Sequence, residues 1–220
     1  MLTPTRLLHL LSPNHSLQCG DIGETLCKDC RDLLWYPECC VGCKSMSNGY
    51  ETCQKCKSRT SLHALICISD YAETARELVH KMKYGPSRTS AEAIARAMYE
   101  KAFSIEIPGL IVSYIPSSPE RIRERGFDHA RYIAQSYAKL SGFTLSKLLE
   151  RTNRKHQVGA SRKTRLTQMH DVFKAVEQIP ENVLLIDDVY TTGATLESAA
   201  KALKKAGTKH VYGLVFARAL

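Results

Sequence analysis

The chain has 220 residues, with 31 Lys/Arg against 22 Asp/Glu for a net charge of +9, and is 44% hydrophobic and 24% charged. Those are globular proportions, which exclude a disordered or fibrous chain, and the length suffices for one sizeable α/β core, or for a core of ordinary domain size plus a small appendage. No uncharged apolar run reaches the ~20 residues of a bilayer-spanning helix. The mildly apolar stretch from Met1 to Leu11 lacks a small-residue cleavage signal, so a cytoplasmic chain is expected.

Eight of the nine cysteines precede Lys57, and they set the first region apart. Cys40-x2-Cys43-x9-Cys53-x2-Cys56 is two knuckles joined by an excursion rich in turn formers (Ser45, Ser47, Asn48, Gly49). Two thiolates spaced by two residues on a tight turn both point at one ion, so this spacing predicts a zinc ribbon rather than a disulfide framework. Cys27 and Cys30 form a second pair that needs two further ligands, for which Cys19, His15 and Cys39 are the candidates. About 60 residues with few apolar side chains do not fold on burial alone, so the metal is expected to be architectural. Trp35, Tyr36 and Tyr50 read as a miniature core, and Cys67, inside Leu65-Ile66-Cys67-Ile68, as a buried small hydrophobe.

From residue 61 apolar runs alternate with helical periodicity. His63–Ser69 reads as a strand, and Thr74–Tyr84 as a helix stopped by Gly85-Pro86. Ser90 is expected to cap a helix running to Phe103, and Leu110–Ile115 is a strand leading into Pro116-Ser117-Ser118-Pro119. Asp128 caps a helix with Ile133, Tyr137 and Leu140 inward, which Gly142 stops. Val183–Ile186 is a strand, Leu196 to Leu203 marks a helix closed by Gly207, and Val211–Phe216 is the last strand. Alternation of this kind predicts right-handed βαβ units and a parallel sheet covered on both faces, with a boundary between residues 1–60 and 61–220.

The charge is unevenly placed. Residues 1–60 hold seven basic against six acidic residues, residues 61–220 hold 24 against 16, and Arg151 to Arg165 carries six basic residues and no acid. Such a field suits phosphates, in small molecules or in nucleic acid, and the alternative is a solvated basic face.

The densest chemistry follows Val183–Ile186. That apolar strand delivers Asp187 and Asp188 to its carboxyl end, where open α/β sheets place ligands. Val189, Tyr190, Thr191, Thr192, Gly193, Ala194 and Thr195 then lead into a helix whose free N–H groups and dipole favour an anion. Two acids beside a phosphate cradle suit a sugar phosphate: the acids take vicinal hydroxyls and the loop takes the phosphate. The chain has no Gly-Lys pair, which excludes the P-loop reading of an apolar strand ending in Asp-Asp.

This segment resembles the phosphoribosyl-pyrophosphate (PRPP) signature of the type I phosphoribosyltransferases. The resemblance implies that Asp187 and Asp188 hold the ribose hydroxyls, that Tyr190 to Thr195 wrap the 5′-phosphate, and that Pro116-Ser117-Ser118 meets pyrophosphate and magnesium. With the cysteine knuckles, Lys81-Met82-Lys83-Tyr84-Gly85, Arg121-x-Arg123-x-Arg125-Gly126-Phe127, Gln157, Arg165 and Phe173, the chain resembles the ComF (competence protein F) family over nearly its whole length. Members pair a double zinc ribbon with a phosphoribosyltransferase domain, and several are needed for uptake of transforming DNA. The resemblance implies a type I phosphoribosyltransferase-like parallel sheet behind a double zinc ribbon, with zinc on Cys40, Cys43, Cys53, Cys56, Cys27, Cys30 and Cys19. It also implies magnesium bound with PRPP and a role in handling single-stranded DNA beside other DNA-uptake proteins. Three departures stand out: Ser16-x-x-Cys19-Gly20 replaces CxxCG, Asp128 makes RGFD of RGFN, and Gln168 replaces Asn in RxxN.

Lys83, Ser117, Ser118, Arg123, Arg125, Arg162, Lys163 and Arg165 are the candidate partners of pyrophosphate or DNA phosphate, because cationic and hydroxyl donors match phosphate oxygens. Pyrophosphate displacement passes through an oxocarbenium-like state that positioning and charge neutralisation support. A dedicated nucleophile is therefore unnecessary, and turnover is left open. The alternative function is a nucleotide-salvage phosphoribosyltransferase.

Overall fold

The structure, a computed structural model, describes residues 15–85, 88–102, 106–152, 172–176 and 178–219. Gln157, Arg162, Lys163, Arg165 and Gln168 lie outside them. The cysteine-rich region holds one short helix, α1 (Lys28–Asp32), and a single 3-10 turn, Asn48–Tyr50. Then come β1 (Ala64–Asp70), α2 (Glu73–Tyr84), α3 (Arg88–Lys101), β2 (Leu110–Tyr114), α4 (Pro119–Arg125), α5 (His129–Ser141) and β3 (Thr144–Leu145). The chain continues through β4 (Leu149–Arg151), β5 (Phe173–Ala175), β6 (Asn182–Tyr190), α6 (Ala194–Lys205) and β7 (His210–Arg218).

Five strands form one parallel sheet in the order β1-β7-β6-β2-β3, while β4 and β5 pair antiparallel. The strands of the sheet centre are continuous apolar runs because both faces are covered. On one face Leu184, Ile186, Leu214 and Phe216 pack with side chains of α2, α3 and α5, among them Leu78, Met82, Ile94, Met98 and Ile133. On the other, Val183, Leu185, Val211 and Val215 pack against Leu196, Ala199, Ala200 and Leu203 of α6. The strand order reverses between β2 and β6, and at such a switch point the carboxyl ends of two neighbouring strands open a crevice.

Three local expectations are corrected. The third helix is already running at Arg88, so Ser90 is buried in its first turn beside Ala91 rather than standing at its N-cap. Leu140 is 38% exposed, because the inward stripe of α5 runs through Ala130, Ile133, Ala134, Tyr137 and Ala138 and leaves position 140 outside it. Trp35 is 71% exposed, whereas Tyr36 is buried.

The cysteine-rich region packs directly onto the sheet and its helices. Leu26, Cys30 and Leu34 belong to the cluster containing α2 and α3, and Tyr36, Cys39 and Val41 to the cluster on the opposite face. Two buried arginines mark these contacts. Arg31 donates from Nε to Glu100 of α3 at 2.8 Å, and its Nη1 reaches Glu24 and the Leu26 carbonyl. Arg218, the last residue of β7, donates to the Val41 carbonyl at 3.3 Å and lies 3.8 Å from the Cys39 thiol.

Candidate functional site

The site forms where β6 and β2 end side by side. Tyr114 of β2 pairs with Ile186 of β6, so the Pro116–Pro119 loop begins beside Asp187 and Asp188. Lys83, at the end of α2, meets Asp188 with Nζ–Oδ2 at 2.5 Å. The two acids also stitch the strand end together: Asp187 Oδ1 accepts from the Asp188 N–H at 2.9 Å, and Asp188 Oδ1 from the Val189 N–H at 2.8 Å. Burial, reinforced by the neighbouring Asp188 charge, holds the Asp187 carboxyl well above the usual carboxylate range. An acidic pair under such strain, with one member paired to a lysine, marks a place built for a ligand rather than for stability.

Behind Lys83 sit His129 and Arg125, side by side. His129, at the start of α5, is buried; burial and then the Arg125 guanidinium hold its imidazole below its usual range. Its Nε2 and the Arg125 Nε are buried with no hydrogen-bond partner among the described residues. Arg125 lies over the Tyr84 ring, 5.8 Å from its centroid.

The loop after β2 is fixed by Asp128, the departure residue of the RGFD run. Its carboxylate does not cap α5 but turns to Ser117, accepting from the hydroxyl at 2.9 Å and the backbone N–H at 3.2 Å. The neighbouring Ser118 caps α4, accepting from the Arg121 N–H. Arg151 donates to the Pro116 carbonyl at 3.4 Å and covers the Phe173 ring at 5.0 Å, and burial lowers its guanidinium pKa. Beyond this loop opens a cleft of about 750 Å³ whose lining includes Tyr114, Phe127, Tyr132, Arg88, Arg131 and Arg151.

After β6 the chain turns through Thr191 and Thr192 into α6, with Gly193 at the N-cap at φ +76°. A Cβ there would be doubly opposed, by the left-handed backbone and by collision with the Tyr190 ring, which is folded over the glycine. Tyr190 is itself stacked under Arg218, whose guanidinium carbon lies 4.9 Å from its ring centroid and 5.8 Å from that of Tyr36. Glu197, in the first turn of α6, accepts from the Thr60 and Ser61 hydroxyls and the Ser61 N–H. The loop is therefore tied to the cysteine-rich region from two sides.

In that region the four Sγ atoms of Cys40, Cys43, Cys53 and Cys56 lie within 4.8 Å of one another, and Cys43 and Cys53 are 3.6 Å apart. Zinc at its usual ~2.3 Å from each thiolate sets sulfurs about 3.8 Å apart in a tetrahedron, so the donor set fits. Cys19, Cys27 and Cys30 form a second cluster within the same span. His15 and Cys39 do not complete it: the His15 ring contacts the Gly20 carbonyl, and Cys39 lies against Arg218.

The structure thus brings together Lys83, Ser117, Asp187, Asp188 and the 189–195 turn at one end of the sheet. Arg123 is 75% exposed and faces Glu120 on α4, while Arg125 turns inward toward Tyr84 and His129. Arg218, His129 and the Asp128–Ser117 clamp carry no local sequence signal; each is recognisable only once distant segments meet.

No family profile matches the chain. The competence protein ComFC of Streptococcus pneumoniae is 29% identical across 96% of this chain and 91% of its own length. The ComFC of Bacillus subtilis is 28% identical across 92% and 83%. The DNA utilization protein YhgH of Salmonella typhimurium is 26% identical across 67% of this chain and 68% of its own length. The resemblance to the ComF family is thereby borne out by relatives that carry its name and match most of the chain. Among solved structures, the allosteric regulatory enzyme of purine biosynthesis aligns at 16% identity with a TM-score of 0.45, covering 61% of this chain and 29% of its own. The glutamine PRPP amidotransferase from B. subtilis gives the same score and identity, covering 61% and 30%. Among the described residues no helix is long and apolar enough to cross a membrane.

Proposed function

We propose that this chain is a competence protein of the ComF type, acting in the cytoplasm on single-stranded DNA and carrying a PRPP-binding pocket at the carboxyl ends of β6 and β2. The single observation that carries the pocket is the convergence there of Asp187 and Asp188, the Thr191–Thr195 turn, Lys83 and Ser117. In this reading residues 1–60 form a double zinc ribbon and residues 61–220 the phosphoribosyltransferase-like domain. Asp187 and Asp188 accept from vicinal ribose hydroxyls, and the N–H groups opening α6 with the Thr191, Thr192 and Thr195 hydroxyls hold the 5′-phosphate. Ser117, Lys83 and Arg151 face the pyrophosphate, whose magnesium neutralises charge. Lys83 must then exchange Asp188 for the ligand, which frees the acid for the sugar. The competence role is supported by the ComFC and YhgH relatives.

DNA binding is the part of this reading that the charge supports: residues 61–220 carry 24 basic and 16 acidic residues. Arg162, Lys163 and Arg165, with the exposed Arg121 and Arg123, are the proposed phosphate contacts, and other DNA-uptake proteins the proposed partners; Arg125, turned inward, is not among them. Affinity for single-stranded oligonucleotides should fall steeply with salt, and charge reversal at Arg162, Lys163 and Arg165 should flatten that dependence. Absence of salt-sensitive binding at low ionic strength would remove the DNA role.

A second reading, nucleotide salvage, is favoured by one observation. The cleft of about 750 Å³ beside Ser117 offers the rings of Tyr114, Phe127 and Tyr132 to a planar acceptor. Nucleobase-dependent release of pyrophosphate from PRPP would establish it.

A further inference from the structure

The two cysteine clusters are built on one backbone plan. At Cys40 the residue N–H donates to the Ser45 carbonyl at 2.9 Å, and the Lys44 N–H returns to the Cys40 carbonyl at 3.0 Å. At Ser16 the same two bonds recur: Ser16 N–H to the Asp21 carbonyl at 2.8 Å, and Gly20 N–H to the Ser16 carbonyl at 2.8 Å. Both turns place their fifth residue in the left-handed region, Lys44 at φ +59° and Gly20 at φ +80°. The correspondence extends to the side chains. Cys40 Sγ accepts from the Cys53 N–H at 3.3 Å, and Ser16 Oγ accepts from the Cys27 N–H at 3.2 Å. Ser16 is 3% exposed, with its hydroxyl 3.5 Å from the Cys30 sulfur. Ser16 therefore stands where Cys40 stands, with oxygen in place of sulfur.

We infer that Cys19, Cys27 and Cys30 with Ser16 Oγ form a zinc site of three thiolates and one hydroxyl, which holds its metal more weakly and exchanges it more readily than the four-thiolate site. The inference rests on reading the clusters as zinc sites. A structural zinc site is closed by four strong ligands, whereas one with three protein thiolates keeps a corner open to water or an incoming donor. A neutral hydroxyl donates far less charge than a thiolate, so this corner is the one that opens. Position differs as well. Cys19 is exposed and Cys30 buried, so metal enters and leaves along the Cys19 side. Cys30 immediately precedes Arg31, the buried residue bound to Glu100 of α3, so occupancy bears on how firmly the Cys27–Cys30 turn is docked.

The test uses the full reduced chain, loaded with zinc or cobalt(II) and titrated with a competing chelator. Two metals per chain are expected to leave in two separated steps. Cobalt absorption should report three Co–thiolate bonds at the weaker site and four at the stronger. Replacing the serine, Ser16→Cys, should tighten the weaker site by at least about tenfold, raise its thiolate charge-transfer band and merge the two steps. The reciprocal Cys40→Ser should shift the four-thiolate site toward the behaviour of the Ser16 site. Two metals that leave together from the wild-type chain would overturn the inference, as would a Ser16→Cys chain with unchanged affinity. A single tightly held metal at saturating zinc would overturn it too, while leaving the four-thiolate site standing. Absence of metal from both clusters would overturn the zinc reading itself.

Discussion

The cysteine-rich region and the parallel sheet are held by different forces, although they share one folded body. At the sheet centre Val183, Leu184, Leu185 and Ile186 are wholly buried, with neighbours on both faces, and burial alone accounts for their order. Residues 15–60 offer only Leu26, Leu34, Tyr36, Val41 and four buried cysteines as apolar core, with one five-residue helix and one 3-10 turn. Thiol clusters and two buried arginines supply what burial does not. The contrast teaches where this chain can carry chemistry that destabilises it. The sheet has enough burial to hold two adjacent acids at its carboxyl end, and the knuckles need every ligand they have.

Metal removal is the largest way to break this contrast. Structural zinc contributes on the order of 10 kcal/mol per site to such knuckles. Chelation is expected to bring amide exchange in residues 15–60 close to that of an unfolded chain, while β6 and β7 stay protected. Strands that lost protection together with the knuckles would show that the two regions are held by one force.

The arginine ties come next. Arg31→Ala removes a buried cation whose acidic partners, Glu100 and Glu24, keep access to solvent, and it leaves the Leu26 carbonyl without its donor, so it should cost about 2 kcal/mol in urea unfolding. A change under about 0.5 kcal/mol, the range of ordinary surface substitutions, would show that α1 is docked by Leu26 and Leu34 alone.

A smaller effect tests the sheet end. The folded Asp187 carboxyl holds its proton above its unfolded range, first because it is buried and then because Asp188 is charged. Its contribution is therefore fully present below about pH 3.9 and is lost as pH rises toward the folded value. Above that range burying this carboxyl costs stability. Asp187→Asn should raise Tm by about 2–4 °C, on the order of 1 kcal/mol, and abolish sugar binding. His129 runs the other way: its depressed folded value means that stability is full above about pH 6.5 and falls as the unfolded chain takes up a proton below it. Thermal melts of wild type and Asp187→Asn between pH 4 and 8 separate the two, because only the Asp187 component disappears in the variant.

Much of this was legible in the chain, and what was not has a common cause. Apolar runs announced β6 and β7, knuckle spacing announced the sulfur clusters, and Asp187-Asp188 followed by Thr-Thr-Gly-Ala-Thr announced the crevice. Those signals are local. Asp128 reads locally as a helix cap, yet its carboxylate is drawn to Ser117, eleven residues back. Arg218 falls beyond the expected last strand, Val211–Phe216, and carries no local signal, yet it lies buried between Tyr190 and Tyr36. Ser16 looks like a lost ligand until the backbone shows that it keeps the ligand's place. In each case the partner is fixed by tertiary packing, which no window of sequence contains.

Calorimetric titration of PRPP in the presence of magnesium tests the central claim most directly. The site at the ends of β6 and β2 predicts saturable binding to the wild-type chain. Binding should be lost, at least about a hundredfold, when Asp187 and Asp188 are both replaced by Asn, with the melting transition retained. Equal affinity in wild type and double variant, or no binding to a folded wild-type chain, would contradict it.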